Sequence, residues 1–313
     1  MPHGFDFTNV KSVLYGLVFM GKISIALAIF ALGLVACDGS GTSSTEQNSE
    51  SELESSGSNS AGVDCLALME GYTDWNRDVP KECRLNPEIN YGNMTDARDG
   101  KIYKTVKIGE QTWMAENLNY ADSAKTASLK GKSWCYNNAD KNCDVTGRLY
   151  TWAAAIDSVK LATDVDHPQK CGRLEECGLA FDSDGSATLI QGICPSGWHL
   201  PSPNEWKAFF MAVGGESTAG KFLKSQTGWM WEYSNGNYSD GNGTDAFGFS
   251  ALPAGERNED GYFENEGYYA KFWSSFEDLS LDAYFVKLYY NRESVRLNST
   301  DKYSALSVRC VKD

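Results

Sequence analysis

Histidine is scarce in this chain, with three in 313 residues, and Lys and Arg number 28 against 42 Asp and Glu. The resulting net charge of −14, with no basic cluster anywhere, argues against a nucleic-acid groove or a patch for anionic lipid headgroups. No Gly-x-Ser-x-Gly elbow is present, so no hydrolase nucleophile is marked. Two Glu near Trp could mimic a glycosidase pair, but nothing fixes their spacing. The absence of any fixed-period repeat excludes a solenoid or propeller. What remains is 42% hydrophobic and 12% aromatic residues, enough for a buried core in one or two domains.

The apolar run Ile23 to Ala36 follows Lys22 and has 14 residues. That is the length of a signal peptide and too short to span a bilayer. It ends in Leu34-Val35-Ala36-Cys37, which resembles a bacterial lipobox. The expectation is a signal peptide over 1–36, removed so that Cys37 carries the covalent lipid. An uncleaved anchor over residues 12–36 is the competing reading, and Met20-Gly21-Lys22 offers a second start with the same mature product. Residues 38–62 hold no aromatic and one large aliphatic, Leu53, so 37–62 reads as a flexible tether. A lipoprotein of the cell envelope follows, placed at the outer membrane or cell surface rather than the inner membrane. Asp38 resembles an inner-membrane retention signal of some enterobacteria, which keeps the choice of membrane open.

Nine Cys is an odd number for an exported chain, and assigning Cys37 to lipid leaves eight. Short loops close at small entropy cost, which favours Cys65 with Cys83, Cys135 with Cys143, and Cys171 with Cys177. Cys194 and Cys310 are then left for each other. Zinc is the alternative, but the spacings are not those of zinc knuckles and only His167 and His199 follow the signal segment.

Residues 63–94 form a small Cys-containing segment. Beyond it Lys101 to Ile108 alternates, Gly109-Glu110 turns and Gln111 to Met114 returns, as a hairpin would. Tyr150 to Ile156 is helical by propensity. Ser202 and Glu205 form a capping box with Pro203 at the first helical position, and Trp206, Phe209, Phe210 and Val213 recur at helical spacing. Short strands are expected at 249–253, 262–263, 271–274, 283–290, 294–297 and 305–311. Two helices and many short antiparallel strands give an α+β domain with long loops.

The ordered blocks DARDGKIYKTVKIGEQTWMAENLNY, GRLYTWAAA, CPSGWHLPSPNEW, GFSALPAGERNEDGYF, KFWSSFED with AYFVKLYY, and SVRCVKD are similar to the Fibrobacter succinogenes major paralogous domain. The resemblance runs over 95–313. That family is placed beside the formylglycine-generating, sulfatase-modifying enzymes, so the resemblance implies a C-type lectin-like fold with short antiparallel strands, two helices and disulfide-stapled loops. It does not carry over their chemistry, because the copper-binding Cys pair near the chain end is missing: the last 118 residues contain only Cys310. An enzyme with altered chemistry on that scaffold is the alternative to a non-catalytic module.

The Glu-Pro-Asn, Gln-Pro-Asp and Trp-Asn-Asp tripeptides of calcium-dependent lectins are also absent. Asp182-Ser183-Asp184-Gly185-Ser186 resembles a calcium loop but lacks the distal Glu, and reads as a turn. No cofactor is expected beyond the covalent lipid on Cys37, with calcium kept as the alternative. His199 reads as a hydrogen-bonded core histidine, and Trp113, Trp152, Trp198, Trp206 and Trp273 as core. The candidate ligand-binding residues are Trp229, Trp231, Tyr233 and Tyr238, interleaved with Asn, Ser, Gly and Asp in a mixture that stacks on sugar rings or adapts to a protein partner. Tyr268, Tyr269, Tyr289 and Tyr290 are weaker candidates for the same face. The expected function is non-catalytic recognition of plant polysaccharide or an envelope protein.

Overall fold

The computed structural model describes residues 64–69, 75–177, 189–234 and 236–313, without the side chains of Leu66, Ser234 and Tyr238. Cys37, the segments 1–36 and 38–62, and the run 182–186 lie outside the described residues.

Three sheets carry the fold. The first has the order β1 (Gly92–Thr95), β2 (Ile102–Ile108), β3 (Gln111–Met114), β15 (Val311–Lys312), β6 (Trp198–His199), so the first and last strands among the described residues share it. The second runs β10 (Phe263–Glu266), β9 (Ala254–Arg257), β14 (Ala305–Leu306), β5 (Leu149–Thr151), β4 (Ser133–Trp134). The third is β11 (Tyr269–Glu277), β12 (Asp282–Tyr289), β13 (Val295–Asp301). A separate hairpin pairs β7 (Glu232–Ser234) with β8 (Asn237–Ser239). All named strand pairs are antiparallel. The helices are short: α1 (Cys65–Met69), α2 (Asp140–Thr146), α3 (Trp152–Ala155), α4 (Ser158–Ala162), α5 (Pro203–Ala212) and α6 (Ala219–Leu223). The architecture is therefore mixed, with mostly antiparallel sheets and few helices.

The third sheet is covered on both faces at β11 and opens to solvent at β13, where only Val295 is buried. Residues Ala270 to Phe276 of β11 are all buried, because Phe272, Val286 and Leu288 face one hydrophobic cluster while Trp273 and Phe285 face another. A strand covered on both faces loses the apolar–polar alternation of a half-buried one. Helix α5 closes the first of these clusters. Its Ser202 cap takes the Glu205 N–H while the Glu205 carboxylate takes the Ser202 N–H, the reciprocal pair its sequence predicts. Trp206 and Phe209 then pack on Trp113 at 4.8 and 4.6 Å between ring centroids.

Several expected elements differ. Six short helices stand among the described residues where two are expected. The 249–253 strand does not form: Ser250 takes a positive φ as its N–H donates to Asp245, Ala251 makes only an isolated bridge to Lys224, and β9 starts at Ala254. The 305–311 strand is broken, because Leu306 pairs in the second sheet while Val311 pairs in the first, and Ser307 bridges to Phe272 of the third on the way. Expected helix 150–156 begins as strand: Tyr150 and Thr151 belong to β5, and Thr151 caps the helix that follows. Pairing with β14 on one side and β4 on the other competes for those backbone groups and wins two residues.

Bridges join Cys65 to Cys83, Cys135 to Cys143 and Cys194 to Cys310. The expected Cys171–Cys177 bridge is not formed; both are buried thiols. Their mutual hydrogen bond, burial and the neighbouring Glu277 push the Cys177 thiol far above its ordinary pKa. Glu277 takes the Cys177 N–H at 2.8 Å and its thiol at 3.5 Å. A thiol held protonated lacks the nucleophilic thiolate that exchange requires.

Candidate functional site

The candidate aromatic region is built by the chain between α6 and β9. Lys224, directly after α6, is buried and its ammonium donates to the carbonyls of Gly241 at 2.6 Å and of Tyr289 and Tyr290 at 3.1 Å. One side chain thus ties both ends of the loop to the end of β12, and burial pulls its pKa down to about 8. Gly241 is required by the same junction, since a Cβ there would lie 2.4 Å from the Met230 carbonyl oxygen. Gly236 supplies the positive φ, +81°, at the turn between β7 and β8.

The structure separates the four candidates. Trp229 is fully buried, and its indole N–H lies 3.1 Å from Ser225 Oγ and 3.2 Å from the Ala251 carbonyl, so it is a core residue and not a ligand contact. The sequence offers no alternation to reveal this, since Trp229 precedes β7 and its burial follows from its neighbours in space. Trp231 is 38% and Tyr233 64% exposed. Tyr238 stands opposite Tyr233 in the backbone register, and its side chain lies outside the described residues.

The weaker candidates belong to two faces. Consecutive strand residues point to opposite sides of a sheet, and the tyrosines divide accordingly. Tyr268 meets Tyr290 edge-on at 5.2 Å, and Tyr269 meets Tyr289 at 5.4 Å. Lys287 covers the second pair, its ammonium 3.6 Å from the Tyr269 centroid and 4.5 Å from that of Tyr289, and desolvation pulls its pKa to about 8. The first pair lies nearer the hairpin: the Met230 N–H donates to the Gly267 carbonyl at 2.9 Å, so Trp231 and Tyr268 leave adjoining backbone. Asn291 reaches Glu232 Oε1 at 3.4 Å beside them.

His199 is buried between two carboxylates, with Nε2 2.7 Å from Glu205 and Nδ1 2.7 Å from Asp313. Both ring nitrogens are occupied within the fold, which leaves none for a ligand. Trp113, Trp152, Trp198, Trp206 and Trp273 are all buried. Among the described residues no group of three or more His, Cys, Asp or Glu could hold a metal ion, and no helix is long and apolar enough to cross a membrane.

Sequence reasoning missed a cleft of about 510 Å³ whose lining includes Lys81, Ile102, Glu116, Asn119, Leu252 and Arg309. Five of these six lie in blocks that carry the family resemblance, the one signal that points toward it; their separation along the chain hides their meeting in space.

No curated protein and no solved structure matches the chain. The model of the Fibrobacter succinogenes major domain matches residues 106–312, from within β2 through β15. With well over half of its length matched, the chain belongs to the Fibrobacter succinogenes major domain family.

Proposed function

We propose that this protein is a non-catalytic recognition module, carried on the cell envelope by a lipid at Cys37 and a 37–62 tether, that binds polysaccharide through its β7–β8 hairpin. The observation that carries the reading is the pair of exposed aromatics, Trp231 and Tyr233, on a hairpin whose base is fixed by Lys224 and Gly241. Aromatic rings held on a rigid support offer stacking area at small entropy cost, and the flanking Glu232, Asn237 and Ser239 offer hydroxyl partners. The finer description of the domain as C-type lectin-like is supported by the first and last described strands sharing one sheet, the small helical content and the bridge from Cys194 to Cys310.

The test is depletion of the full chain, purified in detergent, by insoluble cellulose, xylan and pectin, with reduced and unfolded chain as control. Depletion by one polysaccharide and not by the others supports the reading. No depletion by any of them overturns it in favour of an envelope protein, to be sought by crosslinking in the native cell.

A further inference from the structure

The cleft of about 510 Å³ lies apart from the hairpin, between a segment that precedes the family match and the matched domain. One wall is the single helical turn Lys81–Arg84 and Leu85, which precede the family match; another comes from Ala115 to Asn119, just after β3. The volume is that of an ordinary small-ligand site.

Its charged groups differ in what they are free to do. Arg309 is fully committed: it donates to Asn117 Oδ1 at 2.8 Å, to the Ser250 carbonyl at 2.9 Å and to the Phe249 carbonyl. Asp78, Glu82 and Asp144 are exposed to water. Glu116 alone among the lining carboxylates is largely buried, its side chain 10% exposed. One of its oxygens accepts the Lys104 N–H. The other meets the Lys81 ammonium at 2.7 Å. A carboxylate withdrawn from water needs a cation, and here that cation comes from outside the matched family domain, on a side chain that is still 32% exposed. The rest of the lining combines Ile102, Leu85, Leu252 and the neutral Asn119 with two cations that have partners of their own: Lys101 donates to Asp99 and to the Asn119 carbonyl, and Arg84 donates to the Asn76 carbonyl. The seat therefore fits a primary ammonium on an aliphatic stem, which is what Lys81 already presents to it.

We propose that this cleft is a binding site for the alkylammonium end of a lysine-type side chain on another polypeptide, with Lys81 as an internal ligand that the incoming group displaces. Glu116 anchors the ammonium, and the Ile102 and Leu85 side chains cover the stem. The site is independent of the hairpin, so polysaccharide binding and ammonium binding fail separately.

The experiment uses the full chain in detergent and follows thermal unfolding while n-butylammonium or Nα-acetyl-lysine amide is titrated, with sodium at equal ionic strength as reference. Lys81→Ala is expected to lower the melting temperature and to recover it saturably with either amine. The wild-type chain is expected to respond at least about tenfold more weakly, because its own lysine competes, and Lys81→Ala with Glu116→Gln not at all. Recovery that is absent, non-saturable or unchanged by Glu116→Gln overturns the proposal. If Lys81→Ala does not fold, the wild-type chain is read through the carbon-13 shift of the Glu116 carboxyl on adding Nα-acetyl-lysine amide. A saturating shift supports displacement of Lys81, and an unchanged shift overturns it.

Discussion

Trp229 and Trp231 stand two residues apart and have opposite surroundings: the first is fully buried and bonded to Ser225 and Ala251, the second is 38% exposed at the start of the β7–β8 hairpin. The same residue type therefore does two jobs in three positions. Trp229→Ala empties a core site beside Phe249 and Ala251, and is expected to cost about 3–5 kcal/mol. Trp231→Ala is expected to stay within about 0.5 kcal/mol of the wild type, as surface changes do. Denaturant titration of both variants checks this, and equal destabilisation would contradict the placement of Trp231.

Lys224 controls the hairpin from beneath. Lys224→Met keeps the stem but leaves three carbonyls, those of Gly241, Tyr289 and Tyr290, without their common donor. The expected loss is about 1–3 kcal/mol, with faster amide exchange at 229–241 than in α5. Uniform protection across both segments would mean that Lys224 does not hold the loop.

The His199 network sets a pH window. Burial opposes the imidazolium and is the largest single influence, but hydrogen bonds and charge from Glu205 and Asp313 together outweigh it and raise the His199 pKa above 6.5. Glu205 likewise suffers burial first, yet His199 and the Ser202 cap hold it below 4.5. The raised histidine contributes stability in full below about pH 6.5, lost as pH rises through its folded value; the lowered carboxylate contributes above about pH 4.5, lost as pH falls through its own. Stability from this trio is therefore greatest between those limits. His199→Gln is expected to remove about 1–2 kcal/mol near pH 5.5, a figure kept small because Asp313 is half exposed and screened, and less near pH 8.5, where the imidazolium gives up its proton. Melting temperatures across pH check it, and parallel profiles for both proteins would contradict the assignment.

The cysteines divide into bridged and free. Removing the Cys194–Cys310 bridge opens a loop spanning 116 positions, at an expected cost of about 4–5 kcal/mol in the chain-entropy model. Besides Cys37, Cys171 and Cys177 are expected to resist alkylation in the folded chain and to react after unfolding without reductant. Mass spectrometry counts the labels; no label at either position would show a fourth bridge.

Much of this frame is legible from local signals. The Ser202–Glu205 capping box, the Lys101 to Met114 hairpin and the neighbour pairs Cys65–Cys83 and Cys135–Cys143 all depend on residues close in sequence. What escapes is set by distant partners. The break in 305–311 arises because three sheets compete for that stretch, and the burial of Trp229 depends on Ala251 across the loop. The Cys177 thiol answers to Glu277, a hundred residues on. The cleft joins Lys81 to Arg309 through segments whose meeting no spacing rule encodes.

The most direct test of recognition by the hairpin is the binding isotherm of the full chain on the polysaccharide that depletes it, compared for Trp231→Ala, Tyr233→Ala and the control Met211→Ala, an exposed residue on α5. Loss of about tenfold in affinity, or about 1.4 kcal/mol, for each aromatic change with the control unchanged is the expected result. Unaltered affinity in both aromatic variants would contradict the hairpin as the binding surface.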